Sequence, residues 1–232
     1  MSSTMRRSDQ EERPFASPTL LYRVVLSASR PVIERVYRLG VEGREHVPAR
    51  GGFVLGANHT SNVDPWPLGI ALWPRSLHFM VKAEAWKPPL SWVIAAAGSF
   101  PVHRGESDAE ALANAIRVCR ERKVMAMFPE GTRRRKGLRR KHEPRPHTGA
   151  ARIALAADVP LVPAALRGLD RLSRLEPLRV CFGAPIALED LRELSSQDAA
   201  AEATRRLWSE IVRLEAALDD RPPPLRRGRR GS

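Results

Sequence analysis

Two residues of this chain are well suited by type to move a proton. His59 and Asp64 stand five apart in Asn58-His59-Thr60-Ser61-Asn62-Val63-Asp64-Pro65. Neighbours on one helix face lie three or four residues apart. The two side chains therefore meet only if the chain turns between them, and Thr-Ser-Asn supplies turn-forming residues. A carboxylate beside an imidazole fixes its tautomer and stabilises the imidazolium, which would make His59 a general base. Pro65 biases Asp64 away from helical backbone and suits the first position of a following helix. A second reading therefore has Asp64 as that helix's N-cap and His59 as a hydrogen-bonded loop residue.

A second group has the types needed to hold a phosphate. In Pro129-Glu130-Gly131-Thr132-Arg133, Gly131 lets backbone approach a ligand closely, and Thr132 and Arg133 can donate to phosphate oxygens. Glu130 could orient an arginine, accept a substrate hydroxyl, or form an ion pair that holds the turn. His103-Arg104-Gly105 adds one more loop cation. His142 and His147 lie in a Pro-rich segment with no regular element, which argues against a pre-organised metal site. No serine sits in a GxSxG elbow, and there is no Gly-rich phosphate loop with its lysine.

These loops need a frame. Gly52–Ala57, Leu77–Val81, Phe100–Val102, Val124–Phe128, Leu161–Leu166 and Arg179–Phe182 are short runs, apolar on both faces, and read as buried strands. Between them Ser107–Glu121 reads as a helix with a capping box, Ser107 to Glu110, and Gly149–Ala157 as a shorter one. A helix over about Gln197–Leu218 places Ala203, Leu207, Ile211, Leu214 and Leu218 on one stripe. The alternation predicts a single α/β domain whose mostly parallel or mixed central sheet is covered by helices. All three polar loops then follow strand ends, where ligands gather in such folds.

Residues 1–18 read as a disordered arm. In Leu20–Leu39, Leu21, Val24, Val25, Ala28, Val32 and Val36 recur at helical spacing beside Arg23, Arg30, Arg35 and Arg38, and Pro31 should kink or divide the helix. The pattern fits a helix covering its own domain, the commoner case, and also one lying in a membrane interface. The expected organisation is 1–39 arm and amphipathic helix, 40–218 domain, and 219–232 basic tail.

The chain of 232 residues carries a net charge of +13. Seven bases lie in Arg133–Lys141 and five in Arg221–Ser232, with no acid in either, so the remainder is close to neutral. Such patches suit phosphates, nucleic acid or an anionic membrane. Cys119 and Cys181 form no disulfide framework or CxxC motif, which fits a reducing cytoplasmic setting. No signal peptide is expected. The longest uncharged run, Pro88–His103, is short of the ~20 apolar residues a spanning helix needs.

Taken together, the loops resemble the glycerolipid acyltransferase family. Asn58-His59 to Asp64 is similar to its NHxxxxD block, and Gly98–Gly105 to its strand-to-arginine block. Phe128–Arg133 reads FPEGTR without change, and Val159–Pro163 is similar to its fourth block. Val81-Lys82-Ala83-Glu84 also looks like the family's lysine-bearing segment. The likeness runs from about Gly40 to Ile186.

The resemblance implies that His59 takes a proton from an acceptor hydroxyl while Asp64 holds the imidazole. The alkoxide then attacks an acyl thioester without a covalent acyl-enzyme. By the same resemblance Arg104, Glu130, Gly131, Thr132 and Arg133, assisted by Lys82, hold the glycerol phosphate end. No metal or bound cofactor is implied. The donor would be acyl-CoA or acyl carrier protein, and the acceptor 1-acyl-glycerol 3-phosphate, giving phosphatidate. Glycerol 3-phosphate or another polar lipid is the alternative acceptor. A basic membrane- or nucleic-acid-binding module is the non-enzyme alternative, but the patch lacks interleaved aromatics for stacking on bases. Peripheral attachment to the cytoplasmic face of an anionic membrane follows from these substrates, with residues 20–39 and 88–102 at the interface.

Overall fold

Phe53-Val-Leu-Gly-Ala57 has no polar face, and it becomes the strand β2 (Phe53–Ala57), buried along its whole length at the centre of a sheet. The computed structural model describes residues 19–82, 99–102, 108–131, 135–136, 139–140 and 146–219. The six predicted strands form, with ends moved by at most a residue. They are β2, β3 (Leu77–Lys82), β4 (Phe100–Val102), β5 (Val124–Met127), β8 (Leu161–Arg167) and β9 (Arg179–Phe182). A seventh, β1 (Gly40–Glu42), is three half-buried residues at the sheet edge, too short to carry an alternation. The order is β1-β9-β8-β2-β5-β3-β4, and every neighbouring pair is parallel except β8 with β9. The fold is the predicted α/β domain with a mixed sheet.

Helices cover both faces. α2 (Pro65–Ala71) lies over Phe53, Leu55 and Leu77. α3 (Asp108–Arg120), α4 (Gly149–Ala157) and α5 (Ser196–Asp219) close the other face over Val54, Met125 and Leu161. The predicted capping box begins at Ser107, outside the described residues. α5 buries its predicted stripe, Ala203, Leu207, Ile211, Leu214 and Leu218. Leu207 comes so close to β2 that a Cβ on Gly56 would stand 2.8 Å from its Cδ2, and a larger residue there would push that side chain aside. In the basic stretch 134–148, which reads as a loop, β6 (Arg135–Lys136) and β7 (Arg139–Arg140) pair antiparallel.

Pro31 divides the N-terminal helix as predicted. α1 (Leu20–Pro31) is α-helical, and Val32–Val36 continues as a π-turn, because Pro31 offers no N–H and its ring crowds the preceding turn. One face of this segment covers its own domain, as the first reading has it. Tyr22 and Leu26 pack on Ile70, and Trp66 Nε1 donates to Ser29 Oγ at 2.7 Å. Leu20, Leu21, Val24, Val32 and Val36 face outward, with Leu20 76% exposed. No described helix is long and apolar enough to cross a membrane.

Candidate active site

β2, β5, β3 and β4 are adjacent and parallel, so their carboxyl ends open on one edge of the sheet. The chain leaves β2 into 58–64, β5 into 128–131 and β3 at Lys82, and these segments therefore share that edge. Side chains are described for the first two. Lys82 ends β3 beside Val102 of β4. Arg104, Thr132 and Arg133 lie outside the described residues, as does His142.

The turn between His59 and Asp64 closes on the carboxylate. His59 Nδ1 donates to Asp64 Oδ2 at 2.7 Å. Thr60 donates through its N–H at 2.7 Å and its hydroxyl at 2.9 Å, and the Ser61 N–H at 3.0 Å to each oxygen. Asp64 is fully buried, and every one of these partners is a donor. The carboxylate turns back onto 59–61 and makes no cap bond to α2, so the N-cap reading does not describe its side chain. One local expectation fails. Asp64 has helical backbone (φ −50°, ψ −37°) in spite of Pro65, whose bias the carboxylate's several bonds outweigh. Pro65 does open α2, as predicted.

With Nδ1–H committed to Asp64, the neutral ring presents its lone pair at Nε2, which has no hydrogen-bond partner among the described residues. The side chain keeps 18% of its surface exposed. Phe128 stacks on the imidazole (centroids 4.2 Å apart, 14° between planes), and Phe79 stands behind Phe128 at 5.9 Å. The ring is therefore held at its edge by a carboxylate and on its face by an aromatic.

Glu130 ties the two loops together. Its buried carboxylate accepts the His59 backbone N–H at 3.2 Å. Gly131 adopts φ +64°, left-handed backbone that favours glycine, and its N–H donates to Phe128 O at 2.9 Å. The His147 N–H donates to Pro129 O at 2.8 Å, joining the start of α4 to the same turn.

Four contributors carry no individual signal as chemistry. Asn58, fully buried, exchanges two hydrogen bonds with the Leu166 backbone and donates to Glu215 Oε1 at 3.2 Å. Phe79, Phe128 and Glu215 join them. Asn58 and Phe128 are visible only as letters of the motifs, and nothing in the sequence marks Phe79 or Glu215. Among the described residues no group of three His, Cys, Asp or Glu side chains gathers as for a metal.

A 1-acyl-sn-glycerol-3-phosphate acyltransferase of Bacillus subtilis (strain 168) is 28% identical over 205 residues, spanning 86% of this chain and 99% of that protein. A protein of the same description from Streptococcus pneumoniae (strain ATCC BAA-255 / R6) is 28% identical over 183 residues, 75% of this chain and 66% of its own. The crystal structure of the 1-acyl-sn-glycerophosphate (LPA) acyltransferase PlsC from Thermotoga maritima shares the fold, with a TM-score of 0.63 and 21% identity over 88% of this chain and 83% of that one. The family described as Acyltransferase matches residues 38–167, more than half of the chain and all of the loops just described. On that match, the chain belongs to the acyltransferase family.

Proposed function

We propose that this acyltransferase moves a fatty acyl group from an acyl thioester to the free hydroxyl of 1-acyl-glycerol 3-phosphate, forming phosphatidate. The observation that carries this reading is the His59 Nδ1–Asp64 contact of 2.7 Å, with Nε2 unpartnered among the described residues. Nε2 takes the hydroxyl proton, and the alkoxide oxygen attacks the thioester carbonyl. The tetrahedral adduct collapses with loss of the C–S bond, and the imidazolium returns the proton to the thiolate. General base action of this kind is worth about 10²- to 10⁴-fold. The donor is acyl-CoA or acyl carrier protein. Arg104, Thr132 and Arg133 bind the phosphate, with Lys82 assisting. Glu130 and Gly131 shape the turn that presents them, and the Glu130 contact with the His59 N–H supports a holding role for that carboxylate. The names of the two bacterial relatives support the acceptor.

The substrates are lipids, and the outward stripe of α1 supports docking on a membrane surface. Its apolar side chains enter the interface while Arg23, Arg30, Arg35 and Arg38 face anionic headgroups on the cytoplasmic side. In this reading residues 1–39 are arm and anchor, 40–218 the catalytic domain, and 219–232 a basic tail.

The acceptor is tested with purified protein in detergent micelles by thiol release from palmitoyl-CoA, offering lysophosphatidate, glycerol 3-phosphate and other lysolipids in turn. Mass spectrometry identifies the product. Phosphatidate from lysophosphatidate is the expected result. Release only with another acceptor would move the substrate, and silence with every acceptor would remove the reading.

A further inference from the structure

We infer that Glu215, on α5, is a positioning residue for His59 and acts through the side chain of Asn58. The inference rests on the reading of His59 as the base. Its starting point is where β2 stops. The last register pair between β2 and β8 is Ala57 with Ala164, yet β8 continues through Arg167 alongside β9. At that point the main chain must leave the sheet to form the loop that carries His59. The Asn58 side chain takes over the pairing that the backbone abandons. Its Oδ1 accepts the Leu166 N–H at 2.7 Å, and its Nδ2 donates to Leu166 O at 3.0 Å.

A carboxamide has two N–H donors, and the second goes to Glu215 Oε1 at 3.2 Å. Asn58 has no exposure to solvent, so no bulk water replaces a lost partner. The acceptor is itself fixed. Leu214 and Leu218 anchor α5 on either side of it, the Arg167 guanidinium donates to Leu218 O at 2.9 Å, and Arg167 also pairs with Asp219. Two elements thus hold the residue that directly precedes His59. Glu215 lies outside residues 38–167 and outside every motif block, so the family match does not mark it.

Removing the acceptor leaves a buried N–H unmet, and Asn58 turns to satisfy it. The backbone at His59 then shifts while Glu130 and Gly131 stay in place. The step that depends on the position of Nε2 slows, and substrate binding does not.

The test compares steady-state kinetics of wild-type protein, Glu215→Ala, Glu215→Gln and His59→Ala, using palmitoyl-CoA and lysophosphatidate in micelles. Glu215→Ala is expected to lower kcat about tenfold with KM nearly unchanged, since small displacements of a reacting group cost this much or more. Glu215→Gln, whose amide oxygen still accepts, is expected to keep the wild-type kcat. Full kcat in Glu215→Ala, a change confined to KM, or an equal loss in Glu215→Gln would each overturn the inference. His59→Ala separates the two levels. An inactive His59→Ala beside a fully active Glu215→Ala defeats only the role of Glu215, whereas an active His59→Ala defeats the reading of the base itself.

Discussion

Asp64 accepts from an imidazole, a hydroxyl and two backbone N–H groups, so an amide in its place fails twice. Its N–H₂ would face donors, opening the turn, and it would favour the tautomer that blocks Nε2. Asp64→Asn is expected to lower kcat about 10³- to 10⁴-fold, read as phosphatidate formed per enzyme. Phe128 acts more gently. Stacked aromatic pairs are worth about 0.5–1.5 kcal/mol beyond their burial, so Phe128→Leu should slow turnover about 3- to 10-fold with little change in acceptor KM. At this scale the sequence is legible where chemistry demands a residue type at a short spacing. His59, Asp64, Glu130 and Gly131 can be picked out as candidates in this way. It is silent where a contact joins distant segments. Asn58 meets Glu215 157 positions away, and no local pattern encodes that meeting. Phe79 reads as one more apolar strand residue, which it also is.

Strands and helices follow from periodicity because each buries a definite face. β2 and β8 lack a polar face since helices cover both sides of them, and α5 keeps its stripe over β8 and β2. β1 escapes because three residues hold no period. α1 is the instructive element. Its composition fits two roles, and the structure turns Tyr22 and Leu26 inward and leaves Leu21 and Val24 outward, where the proposed docking would use them. Burying the outward side chains in the headgroup boundary is favourable, and a carboxylate there is not. Leu21→Glu with Val24→Glu should cut partitioning onto anionic vesicles severalfold in a sedimentation assay, while leaving turnover of micellar substrate near wild type. Unchanged partitioning would confine α1 to covering its own domain.

Across the whole molecule the two ends of the sheet are built differently. Both ends bury polar groups, but at the carboxyl end His59 stays partly exposed beside the buried Asp64, whereas at the amino end Arg75 and His78 are both buried. Arg75 donates to Pro48 O at 2.6 Å and to Gly51 O, and lies over the Phe53 ring. His78, near the start of β3, is 5% exposed, and burial followed by the nearby Lys123 pushes its imidazole down to about 4. The unfolded chain takes up that proton near the ordinary value of 6.5 and the folded chain does not. Stability from this group is therefore complete above about pH 6.5 and falls as pH drops toward 4, by about 3 kcal/mol in all. Urea titrations of wild type and His78→Phe at pH 7.5 and 4.5 should show a smaller acid loss in the variant, and equal losses would contradict this.

The proposed turnover depends on a single proton transfer at His59 Nε2. The most direct measurement is phosphatidate formation from palmitoyl-CoA and lysophosphatidate by wild-type and His59→Ala proteins at equal concentration, with folding verified by circular dichroism. Product is expected from the wild type, with a loss of about 10²- to 10⁴-fold in the variant. Comparable product from a folded His59→Ala protein would contradict the role of His59 as the base.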